Sequence, residues 1–377
     1  MKALAVTAAL FFLAVSGLVT WLALDADSLG GQPHVEMAIE LPKTLPKSSQ
    51  PKSVRANTIN GIPVVRKSDN VDIGRSVGAQ DASAGQGHLS DAAQDGSSNG
   101  NKSGAMAPVP INALVERSLF GPLPKISEDG RQPAIVYARP SSYTARTRPG
   151  EPAKIAILIT GLGLSSIATH EVIHNLPGPV TLAFSPYGHS LQAWVRKARE
   201  MGHEVMMQVP FEPYDYPDND PGPHTLLTSL SPKENIKRLH WLMSRFSGYI
   251  GLTNAMGAKF MSSGQALQPI MKEMKNRGLI YFENGMTARS AAGQISQSFG
   301  MDYGQAQVQI DTIAEDQEIQ TGLNRLEELA LEQGISLGVA SNLPITIRSI
   351  REWSRTLKDK GIVLIPISAA LNGLKAS

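Results

Sequence analysis

The chain has 377 residues, 42% of them apolar, with 35 basic and 33 acidic residues and a net charge of +2. This near-balance of charge argues against a protein built to neutralise nucleic-acid phosphates, so no nucleic-acid partner is expected. The chain contains no cysteine, which excludes disulfide frameworks, thiolate metal sites, iron–sulfur clusters and cysteine nucleophiles.

The first predicted element is an uncharged, mostly apolar segment at residues 3–24. As a helix, about 22 residues reach about 33 Å, enough to cross a bilayer core of about 30 Å. Lys2 precedes the segment, which favours an N-terminus that stays inside. We therefore predict that residues 1–24 anchor a single-pass protein in the bacterial inner membrane, with the C-terminal domain in the periplasm. A long cleaved signal peptide is the alternative.

Residues 25–115 are rich in Pro, Gly, Ser, Asn and Gln and show no sustained apolar period. Such a segment buries too little apolar surface to offset its ordering entropy, which predicts a disordered linker. Short apolar patches at 59–65 and 111–114 leave open that part of the linker binds a partner. Residues 116–150 contain more turn residues and are predicted to lead into the folded domain.

From residue 151 to residue 377, short apolar strand patterns alternate with helix patterns. Strands are predicted at residues 154–160, 181–185, 204–210, 249–253, 279–283, 307–310, 335–340 and 361–368. Seven or eight βα units predict an α/β fold, an irregular (β/α)7–8 barrel of the glycoside hydrolase or deacetylase type. An open doubly wound sheet is the competing architecture.

In such barrels the chemistry lies at the carboxyl ends of the strands. The residues there are polar but mostly uncharged: Thr160, Ser185, Gln208, Glu212, Asn254, Glu283, Asp311, Ser341 and Asn342. His170 and His174 have the i,i+4 spacing of a metal pair but fall within a predicted helix of the outer layer. His224, in a long Pro- and Asp-rich loop, could reach the mouth of the barrel.

Several segments of the folded part together resemble a known family. They are KIAILITGLG, LPGPVTLAFSPYG, GHEVMMQVPFEP, DPGPHTLLTSLSP, GLTNAMGAKF and TARS. From Lys154 onward the chain resembles the divergent polysaccharide deacetylases. The resemblance implies a deformed barrel that removes acetyl groups from a glycan, with a divalent metal held by an aspartate and histidines.

The chain departs from this pattern at the metal positions. The positions where the family has its aspartate pair and its histidines are here Thr160, Gly161, Gln208, Ala255 and Ser341. A zinc-type ion needs at least three side-chain donors, and these residues offer few and weak ones. We therefore predict no metal, no other cofactor and no confident catalytic residue.

The residues left at the strand ends are suited to hydroxyl-rich sugars. Substrate contacts are predicted for Thr160, Gln208, Asn254, Arg289, Ser341 and Asn342. The expected function is a deacetylase-like protein that binds an envelope polysaccharide, a peptidoglycan-related glycan or other envelope proteins without hydrolysis. Two alternatives stay open. One is an active carbohydrate deacetylase that uses Glu212, Glu283 and Asp311 with a divalent metal, and the other is a structural scaffold that docks partners.

Overall fold

The structure, a computed structural model, describes residues 58–59, 62–63 and 106–371. The predicted anchor, residues 1–24, and nearly all of the linker lie outside these residues. None of the described helices is both long enough and apolar enough to cross a membrane, since the longest, Asp316–Gln333, carries charged side chains on its exposed side. This finding corrects the predicted single-pass localisation in the inner membrane.

The chain divides into two compact units, residues 1–93 and 94–377. In the first, Thr58–Ile59 (β1) and Ile62–Pro63 (β2) form a short antiparallel pair. All other described elements belong to the second unit. It opens with an antiparallel hairpin, β3 (Val115–Ser118) and β4 (Gly121–Pro124).

Nine parallel strands form the sheet of the second unit, within the part of the chain that is described. They are β5 (Ala153–Leu162), β6 (Thr181–Phe184), β7 (Val205–Phe211), β8 (Gly251–Met256), β9 (Ile280–Glu283), β10 (Tyr303–Gln305), β11 (Val308–Gln309), β12 (Ile335–Ala340) and β13 (Ile362–Leu364). Their order is β10-β9-β8-β7-β6-β5-β12-β11, and β13 pairs with the start of β5. Only residues 306–307 separate the two outermost strands, so the sheet curls into a half-barrel. The predicted α/β class is confirmed.

Helices pack on both faces of this sheet. They are α1 (Pro133–Val136), α2 (Ser166–Asn175), α3 (Leu191–Glu200), α4 (Pro232–Met243), α5 (Ala258–Ser262), α6 (Gly264–Asn276), α7 (Ala292–Phe299), α8 (Asp316–Gln333), α9 (Pro344–Ser354) and α10 (Ile367–Leu371), with 3-10 turns at Asn112–Leu114 and Lys358–Lys360. Alternate strand residues pack against α2 to α9 in an outer core. The remaining strand residues line the inner face in an inner core, which α1 and α10 help to fill.

The segment that leads into the half-barrel is part of the folded unit. Leu114 and Tyr137 are buried in the inner core. The Arg199 guanidinium on α3 donates to the carbonyl oxygens of Tyr137 at 2.7 Å and Ala107 at 2.9 Å. Residues 106–115 were predicted from their composition to belong to the linker, but they pack with the domain. Their average composition is polar, yet a few of their side chains are buried in the core.

The last predicted strand, residues 361–368, divides into two elements. Ile362–Leu364 pairs with β5, and Ile367–Leu371 is a helix. Pro366 has no N–H to donate to a ladder, and its carbonyl accepts a hydrogen bond from Ala370 at 3.0 Å. The apolar run alone could not reveal this break.

Candidate functional site

Neutral polar side chains line the inner face of the sheet at its carboxyl edge. Met207 and Val209 belong to the outer core, so Gln208 between them faces inward. By the same alternation Thr160, Thr253 and Gln309 also face inward. We call Thr160, Gln208, Thr253 and Gln309 the polar cup. The predicted contacts Thr160 and Gln208 thus lie on one surface, on β5 and β7.

A β-bulge interrupts β5 beside the polar cup. Ile159 pairs with Leu182, and Leu162 pairs with Phe184. Between these two pairs β5 therefore contains one residue more than β6. An extra residue of this kind re-aims the backbone, and a glycine takes the left-handed conformation most easily. Gly161 fills that role with a φ of +81°.

The backbone of Gly161 joins three strand ends. Its N–H donates to Gln208 Oε1 at 2.7 Å, and its carbonyl accepts from Asn342 Nδ2 at 3.0 Å. A Cβ at position 161 would lie 3.1 Å from Asn342 Oδ1. An aspartate, which the sequence resemblance implies at this position, would be disfavoured by the left-handed backbone and would crowd Asn342.

Glu212 lies just after β7 and is buried. Its Oε1 accepts from Lys259 Nζ at 2.8 Å, and its Oε2 accepts from the Thr228 backbone N–H at 2.6 Å and hydroxyl at 2.7 Å. Burial alone would raise the pKa of Glu212, but the Lys259 ion pair and the Thr228 hydrogen bonds outweigh it and lower the pKa. This carboxylate organises the loop after β7.

Glu283 faces away from the polar cup. Tyr281 lies in the outer core and Phe282 in the inner core, so Glu283 points outward towards the helices. Its Oε2 accepts from Ser290 Oγ and Tyr303 Oη, both at 2.7 Å, while its Oε1 is buried with no partner among the described residues. Burial raises the pKa of Glu283 although the two hydrogen bonds oppose that rise.

Asp311 is held at the ends of β11 and β12. It accepts from the Ser341 backbone N–H at 2.9 Å, from the Ser341 hydroxyl, and from Thr346 Oγ1 at 2.9 Å. Gln309 Nε2 approaches it at 3.4 Å. The structure therefore brings the predicted residues Asp311 and Ser341 together, with the carboxylate bound by internal donors.

Asn254 and Arg289 have different surroundings. Asn254 is buried; its Nδ2 donates to the Met256 carbonyl at 2.8 Å, and its Oδ1 accepts from the Asn284 backbone N–H at 3.0 Å. Its polar atoms therefore fix the ends of β8 and β9. Arg289 is exposed on the loop after β9 and forms no ion pair with a described residue.

The donors at the family's metal positions do not fit a divalent cation. The Thr160 hydroxyl donates to the Ala340 carbonyl at 3.1 Å, and the Gln208 carbonyl oxygen already accepts from Gly161. Gly161 and Ala255 carry no side-chain donor. Throughout the described residues, no three His, Asp or Glu side chains form a group that could hold a metal, and this includes Glu212, Glu283 and Asp311.

Residues 157–371 match the family model described as divergent polysaccharide deacetylase, which covers more than half of the chain. The chain belongs to this family. The resemblance predicted from the sequence segments is therefore confirmed.

Relatives of this chain include the uncharacterized protein YibQ of Escherichia coli (strain K12), 23% identical over 242 residues, 64% of this chain and 74% of YibQ. An uncharacterized protein of Haemophilus influenzae is 20% identical over 207 residues, 55% of this chain and 73% of that protein. The crystal structure of an uncharacterized protein from Agrobacterium tumefaciens C58 is 38% identical, covers 66% of this chain and 99% of that chain, and has a TM-score of 0.63.

Three histidines predicted as candidate site residues have local partners within the fold. His170 and His174 stack on α2 with ring centroids 4.0 Å apart, and His174 Nδ1 bonds to the His170 carbonyl at 2.8 Å. The His224 ring stacks on Trp241 of α4 with centroids 3.6 Å apart. Burial and the charge of Arg238 lower the pKa of His224, so the imidazole is neutral at neutral pH.

Sequence reasoning missed several residues around the site. Thr253 and Gln309 could have been found from the two-residue alternation around each strand end. Lys259 could not, because it lies 47 positions from its partner Glu212. Tyr303, which binds Glu283, lies on a three-residue strand that the apolar pattern did not mark.

Proposed function

We propose that this chain binds a polysaccharide at the polar cup without metal-dependent hydrolysis. The observation that carries the proposal is the inward layer of neutral side chains at the carboxyl edge, with no metal donor set among the described residues. Family membership supports a glycan as the ligand. Carbohydrate hydroxyl and amide groups both donate and accept, so neutral partners of both kinds suit them.

Two side chains of the polar cup retain unused hydrogen-bonding capacity. Gln208 on β7 and Thr253 on β8 are partners in the sheet register, so they stand side by side on the inner face. The Thr253 hydroxyl is buried with no partner among the described residues. Gln208 uses its Oε1 on Gly161, which leaves its amide N–H groups for a ligand. A buried hydroxyl without a partner is costly, and a ligand oxygen would relieve that cost if the side chains over Thr253 move apart to admit it.

Hydrolysis would need a polarised acetyl carbonyl and an activated water molecule. Two carboxylates at the carboxyl edge already accept hydrogen bonds from protein groups. Glu212 accepts from Lys259 and Thr228, and Asp311 accepts from Ser341 and Thr346. Glu283 faces the helix layer. Binding a glycan requires no change in the hydrogen bonds of Glu212 and Asp311. Hydrolysis would require one of these carboxylates to give up its present hydrogen bonds.

The test is isothermal titration of the full chain with soluble chito-oligosaccharides and with solubilised peptidoglycan fragments. Gln208→Ala and Thr253→Val should each weaken binding about tenfold, the loss expected for one net hydrogen bond of about 1.4 kcal/mol. Gln320→Ala, at an exposed position on α8, is the matched control and should leave binding unchanged.

Two results would overturn the proposal. One is the absence of binding to every glycan offered. The other is release of acetate from an acetylated glycan when Zn²⁺, Co²⁺ or Mg²⁺ is added. That release would restore the alternative of an active deacetylase, and it should then disappear in the Asp311→Asn variant.

A further inference from the structure

A cavity of about 410 Å³ lies between residues 106–109 and helix α3. Residues 106–109 form one wall, and the carboxyl-terminal half of α3 forms the other with Arg196, Arg199 and Glu200. This volume is within the range of small-molecule sites. No residue of the polar cup lines the cavity, so it is a separate feature of the domain.

The guanidinium of Arg199 brings an unpaired charge to this cavity. Arg199 is 5% exposed and forms no ion pair with a described residue. Its hydrogen bonds go to the backbone carbonyls of Tyr137 and Ala107, and its Nε is buried with no partner in the described part of the chain. The guanidinium carbon also lies 5.3 Å from the centroid of the Tyr137 ring. These partners are all neutral, and a buried cation is costly unless an anion pairs with it.

The carboxyl group of Glu204 does not neutralise this charge. It attracts Arg199 from a distance without forming an ion pair with it. Glu204 accepts hydrogen bonds from Ser368 and from the Arg139 backbone N–H, and burial raises its pKa. Burial lowers the pKa of Arg199 to about 10, so the guanidinium stays charged at neutral pH. The wall of the cavity therefore contains a buried cation that has mainly neutral neighbours.

Arg196 brings a second cation to the same cavity. It lies three positions before Arg199, so the two side chains share one face of α3. Arg196 is exposed, and its side chain forms no ion pair or hydrogen bond with a described residue. The helix dipole favours cations in the last turn, such as Lys197 and Arg199. It explains neither the burial of Arg199 nor a second arginine in the cavity wall.

We infer that this cavity binds a phosphomonoester, whose phosphate group pairs with Arg196 beside the buried charge of Arg199. The planar guanidinium suits phosphate oxygens. A phosphomonoester carries a charge of about −1.5 to −2 at pH 7, enough to offset both arginines, whereas a carboxylate carries a single charge. A phosphate group fills only part of the cavity, so the organic group of the ester would contact Met106, Pro108 and Val109 on the opposite wall. This inference does not depend on the proposed glycan binding.

The test is isothermal titration of the full chain at constant ionic strength with phenyl phosphate, inorganic phosphate and benzoate. Phenyl phosphate should bind at pH 7.5, inorganic phosphate more weakly, and the singly charged benzoate at least about tenfold more weakly than phenyl phosphate. Binding of phenyl phosphate should weaken at pH 5, where its phosphate group keeps only one charge.

Three variants examine the walls of the cavity. Arg196→Gln should weaken phenyl phosphate binding at least about tenfold and leave oligosaccharide binding unchanged, because the Arg196 side chain supports no contact in the described fold. Glu200→Gln should strengthen binding about threefold, because it removes an acidic side chain from the wall. Lys197→Gln is the matched control. Lys197 is an exposed cation next to Arg196 that does not line the cavity, so its loss should weaken binding less than about threefold.

Three results would overturn the inference. Equal losses in Arg196→Gln and Lys197→Gln would show that anions are attracted to this helix without a specific site. Absence of phenyl phosphate binding would remove the site and leave the proposed glycan binding standing. Binding of inorganic phosphate without phenyl phosphate would exclude a phosphomonoester as the ligand.

Discussion

The backbone N–H of Gly161 donates a hydrogen bond to Oε1 of Gln208 at 2.7 Å. From the sequence resemblance, these are the positions where a metal-binding aspartate and a histidine are expected. Here the two positions bind each other. The contact joins β5 and β7 at the carboxyl edge through neutral groups.

The conformation of Gly161 predicts the cost of restoring a side chain there. Gly161→Ala should lower the free energy of unfolding by about 1–2 kcal/mol, because a left-handed backbone is unfavourable for alanine. The new Cβ would also crowd Asn342. The measurement is urea denaturation of the full chain. Gly130→Ala is the matched control: Gly130 has a φ of +83°, but a Cβ added there would meet no atom within 4 Å.

The control separates the two contributions to this cost. Gly130→Ala should report the backbone cost alone, and Gly161→Ala should cost more. Equal losses in the two variants would show that Asn342 moves aside freely. If Gly161→Ala instead increased the free energy of unfolding, Gly161 would not have the left-handed conformation that the bulge requires.

The ion pair of Glu212 gives a second prediction. Lys259→Met should lower the free energy of unfolding at pH 7 by about 1–3 kcal/mol, because the buried carboxylate loses its one cationic partner among the described residues. The pKa of Glu212 is lowered in the folded protein, so its contribution is present above about pH 4.3, the unfolded value, and is lost as pH falls below it.

Denaturation curves at pH 7 and pH 3 test this prediction. The difference between Lys259→Met and the parent protein should shrink at pH 3, where Glu212 is neutral in the unfolded chain. Lys272→Met, at an exposed position on α6 with no ion pair among the described residues, should match the parent protein at both pH values. A loss independent of pH would mean that Lys259 acts through packing.

The positions of most strands could be predicted from the sequence, but their order in the sheet and the direction of individual side chains could not. Apolar strand patterns predicted β5 to β9, β11 and β12, because buried parallel strands need them. The direction of Glu283 follows from the alternation only when it is known that Tyr281 lies in the outer core, which the apolar run alone does not reveal. The bulge at Gly161 is equally hidden, since its GLG context resembles any strand-to-helix turn. The candidate residues lie at the carboxyl edge of the sheet, and by the two-residue alternation the side chains of Glu283 and Asn254 face away from the polar cup.

Glu283 provides a third prediction, with the opposite pH dependence. Its pKa is raised by burial, so the folded protein binds the proton more tightly than the unfolded chain does. Stability from this group therefore falls as pH rises from about 4.3 through the folded pKa. The glutamine side chain in Glu283→Gln is neutral at every pH. This variant should therefore not lose stability at this position as pH rises.

Urea midpoints measured between pH 4 and pH 8 check the sign. The stability of Glu283→Gln relative to the parent protein should increase as pH rises. Glu318→Gln, on the exposed side of α8, is the control and should show no such trend. A relative stability that decreases with rising pH would mean that Glu283 is charged in the folded protein and bound by donors that outweigh its burial.

Arg277 supplies a fourth prediction, because it ties the lead-in segment to the helices. Its guanidinium contacts Glu273 Oε1 at 2.6 Å, Glu116 Oε1 at 2.7 Å and the Pro124 carbonyl at 2.8 Å. Glu273 also accepts from His240 at 2.6 Å, and hydrogen bonds from His240 and Arg277 lower the pKa of Glu273 to about 2.

Arg277→Met should lower the free energy of unfolding by about 2–4 kcal/mol, because Glu273 and the Pro124 carbonyl lose a partly buried partner. Hydrogen exchange should speed up in the hairpin β3–β4 more than in β5, since Arg277 contacts the hairpin directly. Arg325→Met, which removes an exposed pair with Glu328, is the control. Uniform acceleration across both regions would instead indicate that the hairpin and the half-barrel unfold as one cooperative unit, with Arg277 contributing to the stability of the whole.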